Sequence, residues 1–371
     1  MITKKWVKCF LIVKIAAISS LIFGESPKTI VPLFLFSGQS NMVGLGTDAS
    51  QLSSEEKKEI ENIKLYNVSD QKKNVGEWKT FGPDLGATSN MFGMSGNYFG
   101  PELFFGRVLA DSMPDKKMAF IKDAMSGTYL GKSDGWLPPS SGGPGTLYGD
   151  MMKHIDEALE SFNDAFDTSL YTPKWAGFIW HQGEFDAQKN YKDLADKYEE
   201  NLTNLIKDIR EMAEDDSLPA IIPMISQTTI DFTSWEYIDI VHEAEIAVAE
   251  NLHNCDTTKI IDYNLTDGIH YDNPSMKKIG TNCALRWLAM DFTDDWWDPV
   301  PVIYQAEKRM SIPVQNAYSN PKSFDLSGRM VRSIKSSGPS ELKGQSSTLM
   351  LIRTAGNKSE KQFISKTVKL R

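Results

Sequence analysis

The sequence predicts a three-layer α/β fold, a central parallel sheet with helices on both faces, followed by a small C-terminal β module. Three observations predict it. Short apolar runs alternate with amphipathic helical patterns from Val31 to about residue 292, which is the pattern of repeated strand-helix units. The runs are continuously apolar instead of alternating, as strands buried on both faces must be. After residue 292 the composition changes, first to Pro and aromatics and then to a basic tail.

The elements follow in chain order. Lys4, Lys5 and Lys8 precede an apolar run from Cys9 to Phe23, with small residues around Gly24. That is the shape of a secretory signal peptide over residues 1–24. The run is short for a membrane span and Lys14 interrupts it, so export is expected and membrane insertion is not. Residues 25–292 form the main domain. Its strands are read at "VPLFLF" (31–36), "MAFIKDA" (118–124), "WAGFIW" (175–180), "AIIPMIS" (220–226) and "KIIDY" (259–263). Amphipathic helices are read at 147–166, 191–214 and 236–252, and a last one at 275–290, started by Asn273-Pro274. Residues 293–311 read as an ordered linker. The tail, 312–371, carries eleven basic and three acidic residues, a net of +8. Within it, 322–333 reads as two strand pieces about a Ser-Gly turn, and 347–370 as a hairpin turning at Gly356-Asn357.

Charge and cysteine content narrow the function. The chain carries a net −9, and cleavage before Glu25 would remove four lysines and leave −13. Such a surface repels nucleic acid and anionic membranes, so neither is an expected partner. Cys9 would leave with the signal. Cys255 and Cys283 remain, and either a disulfide or two buried thiols is compatible with the sequence. No His, Cys or Asp spacing carries a metal signature, and no cofactor is expected.

In parallel sheets ligands bind at the carboxyl ends of strands. Four such ends carry chemistry here: Ser37-Gly38-Gln39-Ser40-Asn41, Met125-Ser126-Gly127-Thr128, His181-Gln182-Gly183-Glu184 and Asp267-Gly268-Ile269-His270. Together they offer nucleophile, base, orienting acid and oxyanion donors, the parts that acyl transfer to water requires. Ser40 is the nucleophile candidate, at a strand-to-helix turn. The segment is not a G-x-S-x-G elbow, because Met42 holds the last glycine's place. His270 is the base candidate, with Asp267 three residues earlier able to fix its tautomer. Glu184 could orient His270 in its stead, bind substrate hydroxyls or brace the Ser40 loop. The Ser40 N–H, Gly127 and the Gln182 amide are candidate oxyanion donors. Gln39, Asn41, His181, Tyr129 and Trp136 are candidate substrate contacts. His154, His242 and His253 fall within or at the end of helical patterns and read as surface residues.

With those blocks in view, the chain resembles SGNH (GDSL-like) hydrolases. More narrowly it resembles carbohydrate esterase family 6, the group of acetyl xylan esterases and sialate O-acetylesterases. "FSGQSNM" (36–42), "GPELFFGRVLAD" (100–111), "SGT" (126–128), "WHQGEFDA" (180–187) and "DGIHYD" (267–272) carry the likeness. The resemblance implies a flavodoxin-like SGNH-hydrolase sheet and a serine esterase acting on acetylated polysaccharide, an acetyl xylan esterase being the first reading and a sialate or other glycan O-acetylesterase the alternative. It also implies Ser40 as nucleophile, His270 as base, and Gly127 and Gln182 beside the Ser40 N–H as oxyanion donors. Asp267 and Glu184 both stand at positions for the third member. A non-catalytic carbohydrate-binding protein on the same scaffold is the rival reading. The tail resembles the C-terminal sorting modules of secreted bacterial polysaccharide-degrading enzymes. That likeness implies a bacterial protein, secreted or on the cell surface, whose tail engages the secretion or attachment machinery.

Overall fold

The computed structural model describes residues 27–70, 76–83, 97–226, 235–258 and 263–290, together with the backbone of 323–324 and 330–331. The chain divides into two compact units, Met1–Ile303 and Tyr304–Arg371. The first holds a seven-stranded sheet: β1 (Thr29–Gly38), β2 (Ile60–Asn67), β3 (Trp78–Phe81), β4 (Met118–Ala124), β5 (Tyr171–His181), β6 (Ala220–Pro223) and β7 (Cys255–Thr258). Their order is β3-β2-β4-β1-β5-β6-β7. Every pairing is parallel except β2 with β3. The helices are α1 (Ser40–Val43), α2 (Glu102–Ser112), α3 (Thr146–Glu160), α4 (Lys192–Asp196), α5 (Tyr198–Met212), α6 (Ile238–Asn251) and α7 (Asn273–Leu288).

The period of two along β1 divides the core. Phe34 and Phe36 point to a layer built with Phe105 of α2 and Trp287 of α7. Val31, Leu33 and Leu35 point the other way, toward Met151 and Ile155 of α3, Leu202 and Ile206 of α5, and Val241 of α6. A strand apolar at every position is thus buried on both faces, and the sheet is the middle of three layers. The chain leaves β1 for one side of the sheet, returns through β4, and crosses to β5 on the other side. β1 therefore sits at the switch of strand order, where a crevice opens beyond the carboxyl ends.

A buried ion pair lies inside this core. Lys122 of β4 is fully buried, with Nζ 2.7 Å from Glu102 Oε1 and donating to the Val43 carbonyl at 3.3 Å. Burial pulls its pKa down against the opposing pull of Glu102. An ammonium without a partner here would cost several kcal/mol. The pair instead ties α2 and β4 to the end of α1, the one-turn helix that begins at Ser40.

Several expectations need amendment. A strand not expected from the sequence lies at Cys255–Thr258, and residues 259–262 of the strand read at 259–263 lie outside the described ones. β2 and β3 escape a reading by apolar runs, because "IENIKLYN" mixes charge into its run and "WKTF" is a four-residue edge strand. The helix read at 191–214 is two helices, divided at Lys197. Helix α7 is capped by Asp272, whose side chain accepts from the Ser275 N–H at 2.9 Å. His242 is buried, its Nε2 2.7 Å from the Ile225 carbonyl, so it is not a surface residue. Cys255 and Cys283 are both free thiols, and burial pushes Cys255 up to about 12. Residues 1–24, the 293–311 linker and the 347–370 hairpin lie outside the described residues. In the second unit Ser323–Phe324 pairs antiparallel with Met330–Val331. Among the described residues no helix is long and apolar enough to cross a membrane.

Candidate active site

The end of β1 is fastened to both neighbours. The Gln39 N–H donates to the His181 carbonyl at 3.0 Å, and the Met125 N–H donates to the Gly38 carbonyl at 3.0 Å. Gly38 adopts φ +147°, and a Cβ there would lie 2.1 Å from the His181 carbonyl oxygen, so only glycine fits. Ser40 then opens α1 and is almost wholly buried. Gly127, at φ +73°, turns the chain just after β4, two residues beyond the Met125 N–H that holds the Gly38 carbonyl. Among the described residues neither the Ser40 N–H nor the Gly127 N–H has an acceptor. Both backbone donors are thus unengaged within the described residues, as donors to an oxyanion must be.

His270 arrives on a tight turn built by Asp267. One oxygen, Asp267 Oδ1, accepts from the N–H groups of Ile269 at 3.0 Å and His270 at 2.8 Å. The other, Oδ2, meets His270 Nδ1 at 2.7 Å. Burial pushes the Asp267 carboxyl up, but the His270 ring and the two N–H groups prevail and hold it at about 2. An ionised Asp267 accepts the Nδ1 proton and leaves Nε2 as the basic nitrogen.

Asn41 joins the two loops. Its Nδ2 donates to Glu184 Oε1 at 2.5 Å and to the Ile269 carbonyl at 3.3 Å, while its Oδ1 accepts from the Tyr271 N–H at 3.2 Å. Ile269 and Tyr271 flank His270, and Asn41 follows Ser40. One amide thus brackets the histidine from the residue next to the serine. Gly46 completes the approach, since a Cβ there would lie 2.7 Å from His270 Cβ.

The structure separates the remaining candidates. Glu184 is on Asn41 and not on the His270 ring; burial raises its pKa, with the Asn41 hydrogen bond opposing. Gln182 is spent: its Nε2 faces Gln39 Oε1 at 3.1 Å, the Thr128 carbonyl at 3.0 Å and Asp186 Oδ2 at 2.7 Å. An amide has two hydrogens, so three protein acceptors leave none for an oxyanion. The expected oxyanion role is therefore corrected to one of bracing the Gly127-Thr128 turn. His181 is fully buried, stacked on Tyr271 at 5.7 Å, and held neutral by burial, which pulls it down to about 3. Trp136 is also fully buried, donating to Thr128 Oγ1 at 2.8 Å and packing edge-on to Trp180 at 5.8 Å. Neither ring can meet a sugar. Gln39 and Asn41 are likewise buried and serve the loops. Tyr129 is half-buried at the rim, edge-on to Phe185 at 5.4 Å and Tyr191 at 5.1 Å, with Lys132 Nζ 3.3 Å above its ring.

Asp186 escapes the strand-end reading although it lies inside the quoted "WHQGEFDA". Its carboxylate accepts from the N–H groups of Leu130 at 2.8 Å and Gly131 at 2.9 Å, and burial raises it to about 6. Among the described residues no group of three or more His, Cys, Asp or Glu could hold a metal ion.

Residues 31–289 match the family model described as carbohydrate esterase, sialic acid-specific acetylesterase. No curated protein sequence matches. Solved structures give the fold: a protein from Arabidopsis thaliana superposes with a TM-score of 0.53 at 20% identity, over 71% of this chain and 99% of that one. A carbohydrate acetylesterase from Xanthomonas citri gives 0.49 at 18%, over 69% and 55% of the two chains. NanS gives 0.49 at 15%, over 71% and 98%.

Two outcomes test this geometry. Asn41→Ala removes three hydrogen bonds and orphans the buried Glu184 oxygen; a loss of about 1–3 kcal/mol is expected in denaturant melts, with esterase turnover falling at least about tenfold. Asp267 has a folded pKa of about 2 against an ordinary value of 3.8, so the unfolded chain binds more protons between these values. Its contribution to stability is present above about pH 4 and is lost as pH falls toward 2. The stability difference between the protein and its Asp267→Asn variant should shrink across that window in melts taken from about pH 5 to 2, and a constant difference would refute the assignment.

Proposed function

The chain belongs to the carbohydrate esterase, sialic acid-specific acetylesterase family, and from that premise we propose that it is a secreted serine esterase that removes O-acetyl groups from polysaccharide, with acetylated xylan the first candidate substrate and an O-acetylated sialic acid the second. The observation that carries the reading is the 2.7 Å contact of His270 Nδ1 with Asp267, on a loop that Asn41 binds to the turn of Ser40.

In this mechanism Ser40 Oγ attacks the acetyl carbonyl as His270 Nε2 takes its proton. Asp267 fixes the ring and stabilises the imidazolium. The tetrahedral oxyanion accepts from the N–H groups of Ser40 and Gly127. Collapse breaks the ester bond, and His270 gives its proton to the departing sugar oxygen. Water then attacks the acetyl-enzyme with His270 as base, releasing acetate and restoring Ser40. Donors of this kind are typically worth about a hundredfold or more in rate.

Export rests on the Lys4, Lys5, Lys8 cluster ahead of the Cys9–Phe23 run, and attachment on the basic 312–371 tail. Neither nucleic acid nor a membrane is a partner in this reading, and no cofactor takes part.

Ser40→Ala should abolish hydrolysis of 4-nitrophenyl acetate, while Asp267→Asn should lower kcat by about 10³–10⁴ and Glu184→Gln by clearly less. Wild-type protein that binds xylan without any turnover would instead make it a binding protein. Acetate release from acetylated xylan, set beside release from 9-O-acetyl-N-acetylneuraminic acid, ranks the two substrates. For export, N-terminal sequencing of protein from culture medium should begin at Glu25; an intact Met1 would refute cleavage.

A further inference from the structure

Glu184, Ser226, Trp235, Ile238, Gly268 and Ile269 line a small pocket with room for about one water-sized group. Two of its buried polar atoms, Glu184 Oε2 and Trp235 Nε1, have no hydrogen-bond partner among the described residues. Glu184 is 4% and Trp235 6% exposed, so bulk water does not compensate either. Buried polar atoms are rarely left without partners, and a bound group is one way of supplying them. An indole N–H can only donate, and a carboxylate oxygen accepts. A water molecule, or a hydroxyl carried by a ligand, accepts and donates through a single atom and is small enough to enter.

The pocket's position says whose hydroxyl. Gly268 and Ile269 immediately precede His270, and Glu184 holds the amide beside Ser40. The oxyanion donors at Gly127 lie across the Phe185 ring, which is edge-on to Trp235 at 5.9 Å and 3.5 Å from where a Gly127 Cβ would be. The departing oxygen must reach His270 Nε2 to be protonated. The alcohol half of the ester therefore lies on the His270 side, against this pocket. Ile238, Ile269 and the indole give apolar walls on which carbon of a sugar ring can rest.

We propose that this pocket is a leaving-group subsite in which Trp235 Nε1–H donates to, and Glu184 Oε2 accepts from, a free hydroxyl of the sugar next to its acetylated oxygen. The inference rests on the esterase reading and adds to it a specificity-determining residue, Trp235, outside the catalytic loops.

Trp235→Phe keeps the ring and removes the donor. With whichever of an O-acetylated methyl xyloside and 9-O-acetyl-N-acetylneuraminic acid the wild type hydrolyses faster, kcat/KM should fall about tenfold or more, the scale of one hydrogen bond. On 4-nitrophenyl acetate, whose leaving group carries no hydroxyl, the variant should stay within about twofold of wild type. Equal losses on both esters, or none on either, would overturn the subsite. Should Trp235→Phe fail to fold, the wild type is assayed with an analogue of the same sugar ester lacking the neighbouring hydroxyl. A loss of about tenfold supports the subsite and an unchanged kcat/KM overturns it. Absence of wild-type turnover on every ester would defeat the esterase reading itself, a distinct result.

Discussion

The site depends on one side-chain amide. Asn41 stands next to Ser40, yet its two polar atoms are committed to the residues before and after His270 and to Glu184. The serine and the histidine come from loops some 230 residues apart in the chain, so nothing local fixes their separation. A buried amide with three partners does so at low entropic cost, because Asn has few rotamers to lose. Glu184 makes the amide directional. With a carboxylate oxygen at 2.5 Å, Nδ2 must face it and Oδ1 must face the Tyr271 N–H. The orientation of the amide and the position of the His270 loop are thus a single choice.

A second tier of contacts carries this choice into the sheet. Gly38 lets the end of β1 approach the His181 carbonyl more closely than any side chain would allow. Lys122 and Glu102 hold the far end of the one-turn helix that starts at Ser40. Gln182 and Asp186 spend their hydrogen-bonding capacity on residues 128, 130 and 131, and so set the turn that presents Gly127. Buried polar networks of this kind are costly when half satisfied and rigid when complete.

Much of this is legible in the sequence, and the failures have a common cause. Strands β1, β4, β5 and β6 follow from apolar runs, and the four strand ends that converge are those whose small, amide and carboxyl residues interrupt such runs. Chemistry names each residue's capacity but not its direction. Along β5, Ile179 belongs to the α2/α7 layer and Trp180 to the α3/α5 layer. The alternation holds to the strand's last residue and one beyond it: His181 stacks on Tyr271, in the first layer, and Gln182 meets Tyr198, in the second. Period-two reasoning applied one residue further would bury both. Trp136 lies in a loop, where no period exists, and only tertiary packing reveals that its ring closes over Trp180. Trp235 has no motif around it, so its place beside Gly268 and Ile269 is a product of the fold alone.

The contrast between the two carboxyl groups is what the sequence leaves open and physical chemistry decides. Asp267 accepts two backbone N–H groups and faces the ring nitrogen, so its charge is compensated and its proton is lost well below neutral pH. Glu184 has one short side-chain donor, a second oxygen with no partner among the described residues, and near-complete burial, and its pKa rises. A group that is to stabilise a transient imidazolium must be ionised before the proton arrives and must lie on the ring. Asp267 meets both conditions. Glu184 lies on Asn41 and not on the ring, and its burial suits a different role, that of holding an amide in one orientation where water cannot compete for the hydrogen bond. Two acids at neighbouring strand ends therefore divide the work by environment. In the proposed mechanism the half-exposed one is matched to the moving proton, and the buried one to the geometry that brings the proton within reach.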